Sequence, residues 1–156
     1  MSLSDEIKAK ALQLGFDACG IAKAELLADD ARTLQIWLNK GYHANMSYLE
    51  NHFDKRTNPE LLVHGAQSVV VVLLNYFPAQ LQPESAPQIA KYAYGKDYHF
   101  IIKEKLKQLQ AFIDEQAPNE SMVFCDSAPI LERRWAQRAG LGWIGKSGLL
   151  IHPTLG

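Results

Sequence analysis

At 156 residues and 47% hydrophobic, the chain is the size of one ordinary domain and should bury roughly two thirds of its unfolded surface, so residues 1–156 are read as a single domain. Lys plus Arg number 16 against 17 Asp plus Glu, which excludes a global field advertising nucleic acid or a membrane surface and confines any RNA contact to a local patch. The amino terminus is polar, and no apolar run approaches the ~20 residues of a membrane span, so the chain reads as cytoplasmic with no membrane partner.

Ile7, Ala11 and Leu14 recur at helical spacing, with Ser4 available as an N-cap and Gly15 as a stop, which predicts a helix over Ser2 to Leu14. Phe16 to Ala22 is short and apolar and predicts a strand, followed by a helix from Ala28 to Asn39 closed by Gly41. Met46 to Phe53 predicts a short helix, and Lys55 to Pro59 a turn. Ser68 to Tyr76 has a β-branched run without polar alternation. That composition predicts a strand buried on both faces at the centre of a sheet.

Pro78 to Pro87, with three prolines among polar residues, predicts a mobile loop. Tyr98 to Gln116 sets Ile101, Ile102, Leu106, Leu109, Phe112 and Ile113 on one face, the pattern of an amphipathic helix packing on a sheet. Met122 to Cys125 predicts a strand, Ile130 to Ala139 a helix opened by Pro129, and Leu149 to His152 a last strand. Alternating strands and helices imply an α+β fold, a layered α/β/α arrangement about a mixed central sheet. The chain ends at Gly156 directly after an expected strand, as a piece of a longer protein would.

Cys19 and Cys125 stand far apart and form no C-x-x-C, so neither a disulfide framework nor a zinc site is expected, and four thiolates for an iron–sulfur cluster do not exist here. No metal ligands are therefore assigned within the chain.

Gly140 to Ser147 (GLGWIGKS) spells the P-loop pattern G-x-x-x-x-G-K-[ST], and Gly140, Gly142 and Gly145 also spell the dinucleotide fingerprint. Both motifs need a strand before the glycines and a helix after them, because the helix N-terminus supplies the anion site. Here a helix-like LERRWAQRA precedes and a strand-like LLIHP follows. Three glycines that only turn the chain are a sufficient reading of the glycines, but not of Trp143, Lys146 and Ser147 on the same loop, where a ring, a cation and a hydroxyl can line a polar cofactor edge.

Asp126 and Ser127 precede Pro129, so either can cap the next helix, a reading sequence alone slightly favours; equally, Asp126 can serve as a proton donor, since a carboxylic acid against a large apolar cofactor becomes a weaker acid suited to that work. Asp97-Tyr98-His99 begins the D-x-H-x-x-G signature of a cobalt-ligating histidine, but Ile102 stands where glycine is required, so His99 is a poor cobalt ligand that can still bond a cofactor amide. His64 reads as an ordinary turn residue.

RTNPELLVHGAQSVVVVLLNY (Arg56 to Tyr76), IAKYAYGKDYH (Ile89 to His99) and CDSAPILERRWAQRAGLGWIGKSGLLI (Cys125 to Ile151) together resemble the amino-terminal half of epoxyqueuosine reductases, over nearly the whole chain. The resemblance implies an oxidoreductase of tRNA processing that completes queuosine by reducing epoxyqueuosine in tRNA, with cobalamin and two four-iron four-sulfur clusters. It implies a fold similar to the cobalamin-binding domain of reductive dehalogenases and, distantly, to nitroreductases.

The cluster cysteines would lie in a carboxyl-terminal ferredoxin-like part, since this sequence has no C-x-x-C-x-x-C-x-x-x-C-P run, and the chain alone is expected to be inactive. By the same resemblance Asp126 is the catalytic proton donor, and Arg56, Tyr98, Ser127, Arg133, Lys146 and Ser147 contact the corrinoid. The expected partners are tRNA carrying epoxyqueuosine, mostly through absent regions, and an external electron donor, with a monomeric state. The competing readings are a non-catalytic corrinoid- or nucleotide-binding module using Gly140 to Ser147, and a flavin-dependent enzyme of nitroreductase type.

Overall fold

The computed structural model describes residues 2–156. The elements in chain order are α1 (Leu3–Gln13), β1 (Ala18–Lys23), α2 (Ala28–Asn39), α3 (Phe53–Thr57), β2 (Ser68–Leu73), α4 (Tyr98–Gln116), α5 (Glu132–Arg138), β3 (Trp143–Ile144) and β4 (Leu150–Ile151), with single 3₁₀ turns at Ser47–Leu49, Pro59–Leu61 and Lys91–Ala93. The chain divides into two compact units. One holds residues up to Cys19 with Val72–Asp126; the other holds Gly20–Val71 with Ser127–Thr154.

In the first unit α1 starts at Ser2 rather than Ser4. The Ser2 hydroxyl accepts from Asp5 N–H while the Asp5 carboxylate accepts from Ser2, a reciprocal box that Ser4, with Ile7 three residues on, cannot form. α1 packs on α4, with Ile7, Ala11 and Leu109 buried at that level. Lys105 Nζ reaches back to the Gly15 carbonyl at 3.0 Å, satisfying the chain just past the end of α1.

The Asp97 carboxylate caps α4 by accepting from His99 N–H. The helix runs over the predicted residues, its apolar stripe half-buried to buried. Pro78 to Pro87 carries no helix or strand.

In the second unit the core is Ala22, Leu27 and Trp135, with Val69, Val71, Ile130, Leu131 and Ala139 packed around it. Trp135 is 1% exposed and carries the largest apolar area in the cluster. α3 runs through part of the predicted Lys55 to Pro59 turn, and the predicted helix over Met46 to Phe53 shrinks to one 3₁₀ turn. The Thr57 hydroxyl bonds back to the Phe53 and Asp54 carbonyls, and the Thr57 carbonyl receives Leu27 N–H at 2.9 Å, so α3 is held both locally and from outside.

The mixture of helices and strands is as expected, but the mixed central sheet is not. Among the described residues the strands form two two-stranded ladders, β1 with β2 and β3 with β4. Asp17 N–H donates to the Leu73 carbonyl at one end of the first ladder and Ala24 N–H to that of Gln67 at the other, so its strands are antiparallel. With one partner strand, β2 is half-exposed rather than buried on both faces.

It also stops at Leu73 instead of Tyr76, because Asn75 N–H turns to the Asp17 carboxylate at 2.6 Å and Phe77 N–H to the Asn75 side chain. Met122 to Cys125 is not a strand, since these residues pair with no ladder. β3, unforeseen from sequence, lies inside the glycine-rich run itself.

Candidate functional site

In the first unit, the N-terminal turn of α4 meets the end of the extended segment at Asp126. Tyr98 donates its phenolic proton to Asp126 Oδ2 at 2.6 Å. His99 Nε2 lies 3.7 Å from the same oxygen, and its Nδ1 lies 2.8 Å from Asp97 Oδ1. The imidazole stacks on the Tyr98 ring at 4.1 Å, and Tyr98 in turn meets Tyr92 edge-on at 6.1 Å.

The hydrogen bond to a carboxylate, then loss of hydration and the negative charge of Asp126, raise the Tyr98 phenol well above an ordinary tyrosine. It is a proton donor across the whole working range of pH. Asp97 is held below the usual carboxylate range, chiefly by the His99 backbone N–H and then by its ring.

Asp126 has φ +52°, a left-handed conformation that Asp tolerates better than most residues. Neither Asp126 nor Ser127 caps α5, contrary to the cap reading. A turn closed by Ile130 N–H on the Ala128 carbonyl intervenes, and α5 starts at Glu132 behind Leu131, with no side-chain cap. Freed of a helix cap, the Asp126 side chain remains 55% exposed.

In the second unit, β3 and β4 pair in register Trp143 with Ile151 and Ile144 with Leu150, making Gly145 to Leu149 the tip of a small hairpin. The glycines serve this hairpin. Gly140 (φ +78°) turns the chain out of α5, and at Gly142 (φ +152°) a Cβ would run into the Ile151 carbonyl. A strand occupies the middle of the run and another strand follows it, so the helix that a P-loop or a dinucleotide fingerprint must open is not there. Lys146 and Ser147 are exposed at the tip, Trp143 is half-exposed, and Arg133 Nη1 donates to the Gly148 carbonyl at 2.9 Å.

Arg56 is placed elsewhere in that unit. Its Nη2 donates to the Tyr48 and Asn51 carbonyls at 3.2 and 3.5 Å, while its buried Nε has no hydrogen-bond partner among the described residues. Ser127 is exposed. Of the expected site residues, then, Tyr98 and Asp126 are joined directly, Arg133 braces the loop bearing Lys146 and Ser147, and Arg56 is anchored separately.

Sequence reasoning missed that Asp97 and His99 belong with Asp126. The Asp-x-His spacing at a helix start was the available signal, since an N-cap carboxylate naturally faces the residue two positions on.

A family model described as epoxyqueuosine reductase QueG, DUF1730, matches residues 56–127, a span that includes Arg56, Tyr98 and Asp126. An epoxyqueuosine reductase of Cyclobacterium marinum is 53% identical over 153 residues, covering 96% of this chain and 49% of the relative. Over nearly its whole length the chain is similar to about half of an epoxyqueuosine reductase.

A second epoxyqueuosine reductase, from Leadbetterella byssophila, is 50% identical over 98% of the chain and 51% of its own length. The chain thus spans about half the length of the curated relatives it matches.

Among solved structures, epoxyqueuosine reductase from Streptococcus thermophilus superposes with a TM-score of 0.89 at 25% identity, covering the whole of this chain and 43% of that one. A reductase solved with an epoxyqueuosine-modified tRNA-Tyr stem loop gives 0.84 at 27% identity, over 97% of this chain and 41% of the other. The Bacillus subtilis reductase gives 0.79 at 27%, with the same coverages; that structure has a catalytic loop, named for an aspartate, swung out of the active site. Among the described residues no three His, Cys, Asp or Glu side chains gather to hold a metal ion, and no helix is long and apolar enough to cross a membrane.

Proposed function

We propose that this chain is the cobalamin-binding domain of an enzyme that reduces epoxyqueuosine to queuosine in tRNA, with Asp126 as its proton donor. The observation that carries the reading is the Tyr98–Asp126 bond: an exposed carboxylate, in a strained backbone conformation, held by a phenol that keeps its own proton. The Bacillus subtilis relative supports it, because its catalytic loop is named for an aspartate and is swung out of the active site.

The residues present suit a corrinoid, a wide apolar disc rimmed by amides and carrying a phosphate tail. Lys146, Ser147 and Ser127 offer exposed polar groups, Trp143 a half-exposed ring, and the unpartnered Arg56 Nε a donor lacking an acceptor. Arg133 acts through the Lys146–Ser147 loop it braces. Tyr98, its proton committed to Asp126, can only accept from an amide.

Cobalamin, when bound, supplies electrons at its cobalt, replenished from an external donor through two four-iron four-sulfur clusters outside this chain. Conversion of the epoxide to an alkene and water consumes two electrons and two protons. Asp126 delivers a proton to the oxygen as its bond to carbon breaks, and Tyr98 fixes the carboxyl oxygen that does so. The enzyme works on tRNA in the cytoplasm.

Incubating the purified chain with cobalamin, followed by gel filtration, tests the reading by the visible spectrum of the protein peak. Co-eluting corrinoid, weakened by Lys146→Ala, is the expected result. A colourless protein peak would overturn it. In the full-length enzyme, Asp126→Asn should retain the corrinoid and lose on the order of 10²-fold or more in epoxide reduction.

A further inference from the structure

Asp126 gives up a proton at each turnover and must regain one, and besides Tyr98 the His99 ring lies close to its carboxylate. We propose that His99, oriented by Asp97, is the group that returns a proton from solvent to Asp126. This rests on the reading of Asp126 as the acid.

The geometry has three parts. Asp97 Oδ1 lies 2.8 Å from His99 Nδ1, which fixes the neutral ring with its proton on Nδ1 and leaves Nε2 as the acceptor. Nε2 lies 3.7 Å from Asp126 Oδ2, a gap that one bridging water or a small side-chain rotation closes. The His99 side chain is 38% exposed, so Nε2 can be recharged from bulk water.

Tyr98 cannot take this role, because its phenol is stabilised against deprotonation by the carboxylate it would have to serve. Of the ionisable groups facing this cluster, Lys103 acts on Asp97 and Cys125 acts on Tyr98.

The step balances as a proton shuttle. Nε2 takes a proton from water to give an imidazolium held between two carboxylates. The Nε2–H bond then breaks as an O–H bond forms on Asp126, leaving a neutral imidazole with Nδ1–H still on Asp97. No electron moves, and solvent is the only co-reactant.

Two measurements test this. In the isolated chain, ¹⁵N spectra of the His99 ring should show the Nδ1–H tautomer in the neutral form, and Asp97→Asn should shift the population toward Nε2–H. A predominant Nε2–H tautomer in the unsubstituted chain would overturn the proposal whether or not the enzyme reduces epoxyqueuosine.

In the full-length enzyme, His99→Gln should slow multiple turnover by on the order of 10²-fold while leaving a single turnover from pre-protonated enzyme intact, and added imidazole should restore the loss. Equal loss in both regimes without rescue would reduce His99 to a structural part and sink the shuttle. If the unsubstituted full-length enzyme reduces no epoxyqueuosine, the functional reading fails along with the shuttle that rests on it, whatever the tautomer.

Discussion

Tyr98 and Asp126, 28 positions apart, share one hydrogen bond of 2.6 Å, and the phenol at its donor end is pushed well above the ordinary tyrosine range by that bond. Its shift is upward, so the sign of its effect on stability follows directly. Below the ordinary tyrosine range the phenol is protonated in both folded and unfolded chains and the bond is fully present. As pH rises past that range the unfolded chain loses its proton first, and the stability the bond provides declines.

Of six tyrosines, one should therefore ionise well after the rest in an alkaline absorbance titration, and Tyr98→Phe should remove that late step alone. A late step that survives Tyr98→Phe would place the perturbed phenol elsewhere.

Asp97 behaves in the opposite sense. Its carboxylate is held low by the α4 N-terminus and His99, so its contribution is present above the ordinary aspartate range and disappears as pH falls through its depressed value. Asp97→Ala should lower the thermal midpoint at neutral pH and narrow the difference from the unsubstituted chain in strong acid. A constant difference across that range would show that the charge is irrelevant to the cap.

The core of the second unit is small, and Trp135 dominates it. Trp135→Ala should cost about 3–5 kcal/mol in denaturant unfolding, enough to leave much of a marginally stable chain unfolded. Ile36→Ala, on an exposed position of α2, should cost within about 0.5 kcal/mol and serves as the control.

Two positive-φ glycines, Gly140 and Gly142, separate strain from overlap. Gly140→Ala meets nothing within 4 Å and should cost about 1–2 kcal/mol for its left-handed backbone alone. Gly142→Ala adds a clash with the Ile151 carbonyl and should cost about 3 kcal/mol. Equal losses would mean that β4 can move away from β3 at little cost.

The Arg134–Asp30 pair joins α5 to α2, with Nε 2.8 Å from one carboxylate oxygen and 2.9 Å from the other. Both side chains are partly exposed. A double-mutant cycle should give a coupling of about 1 kcal/mol that shrinks as salt is added. A coupling unmoved by salt would point to packing rather than charge.

The helices were legible because their signals are local. α2 and α4 fall on the predicted residues, α4 because its apolar stripe repeats for five turns. The strands were not. A β-branched run such as Val69 to Val72 looks the same whether it lies mid-sheet or in a two-stranded ladder, and only long-range pairing decides.

Asp126 was legible as a chemical candidate, but its capping role failed because a turn at Ala128 to Ile130 carries no strong sequence signal. The ring of Asp97 and His99 around it depends on a contact across nearly 30 residues. No periodicity reports such a contact.

Arg133 ties down the carbonyl of Gly148, directly beside Ser147, so the hairpin tip is shaped before any ligand arrives. A cofactor landing there meets Lys146 and Ser147 on a backbone already ordered, and forfeits less entropy on binding than it would on a slack loop. Cutting that strut with Arg133→Ala should thus show up mainly as faster escape of a bound molecule, with the rate of capture little changed.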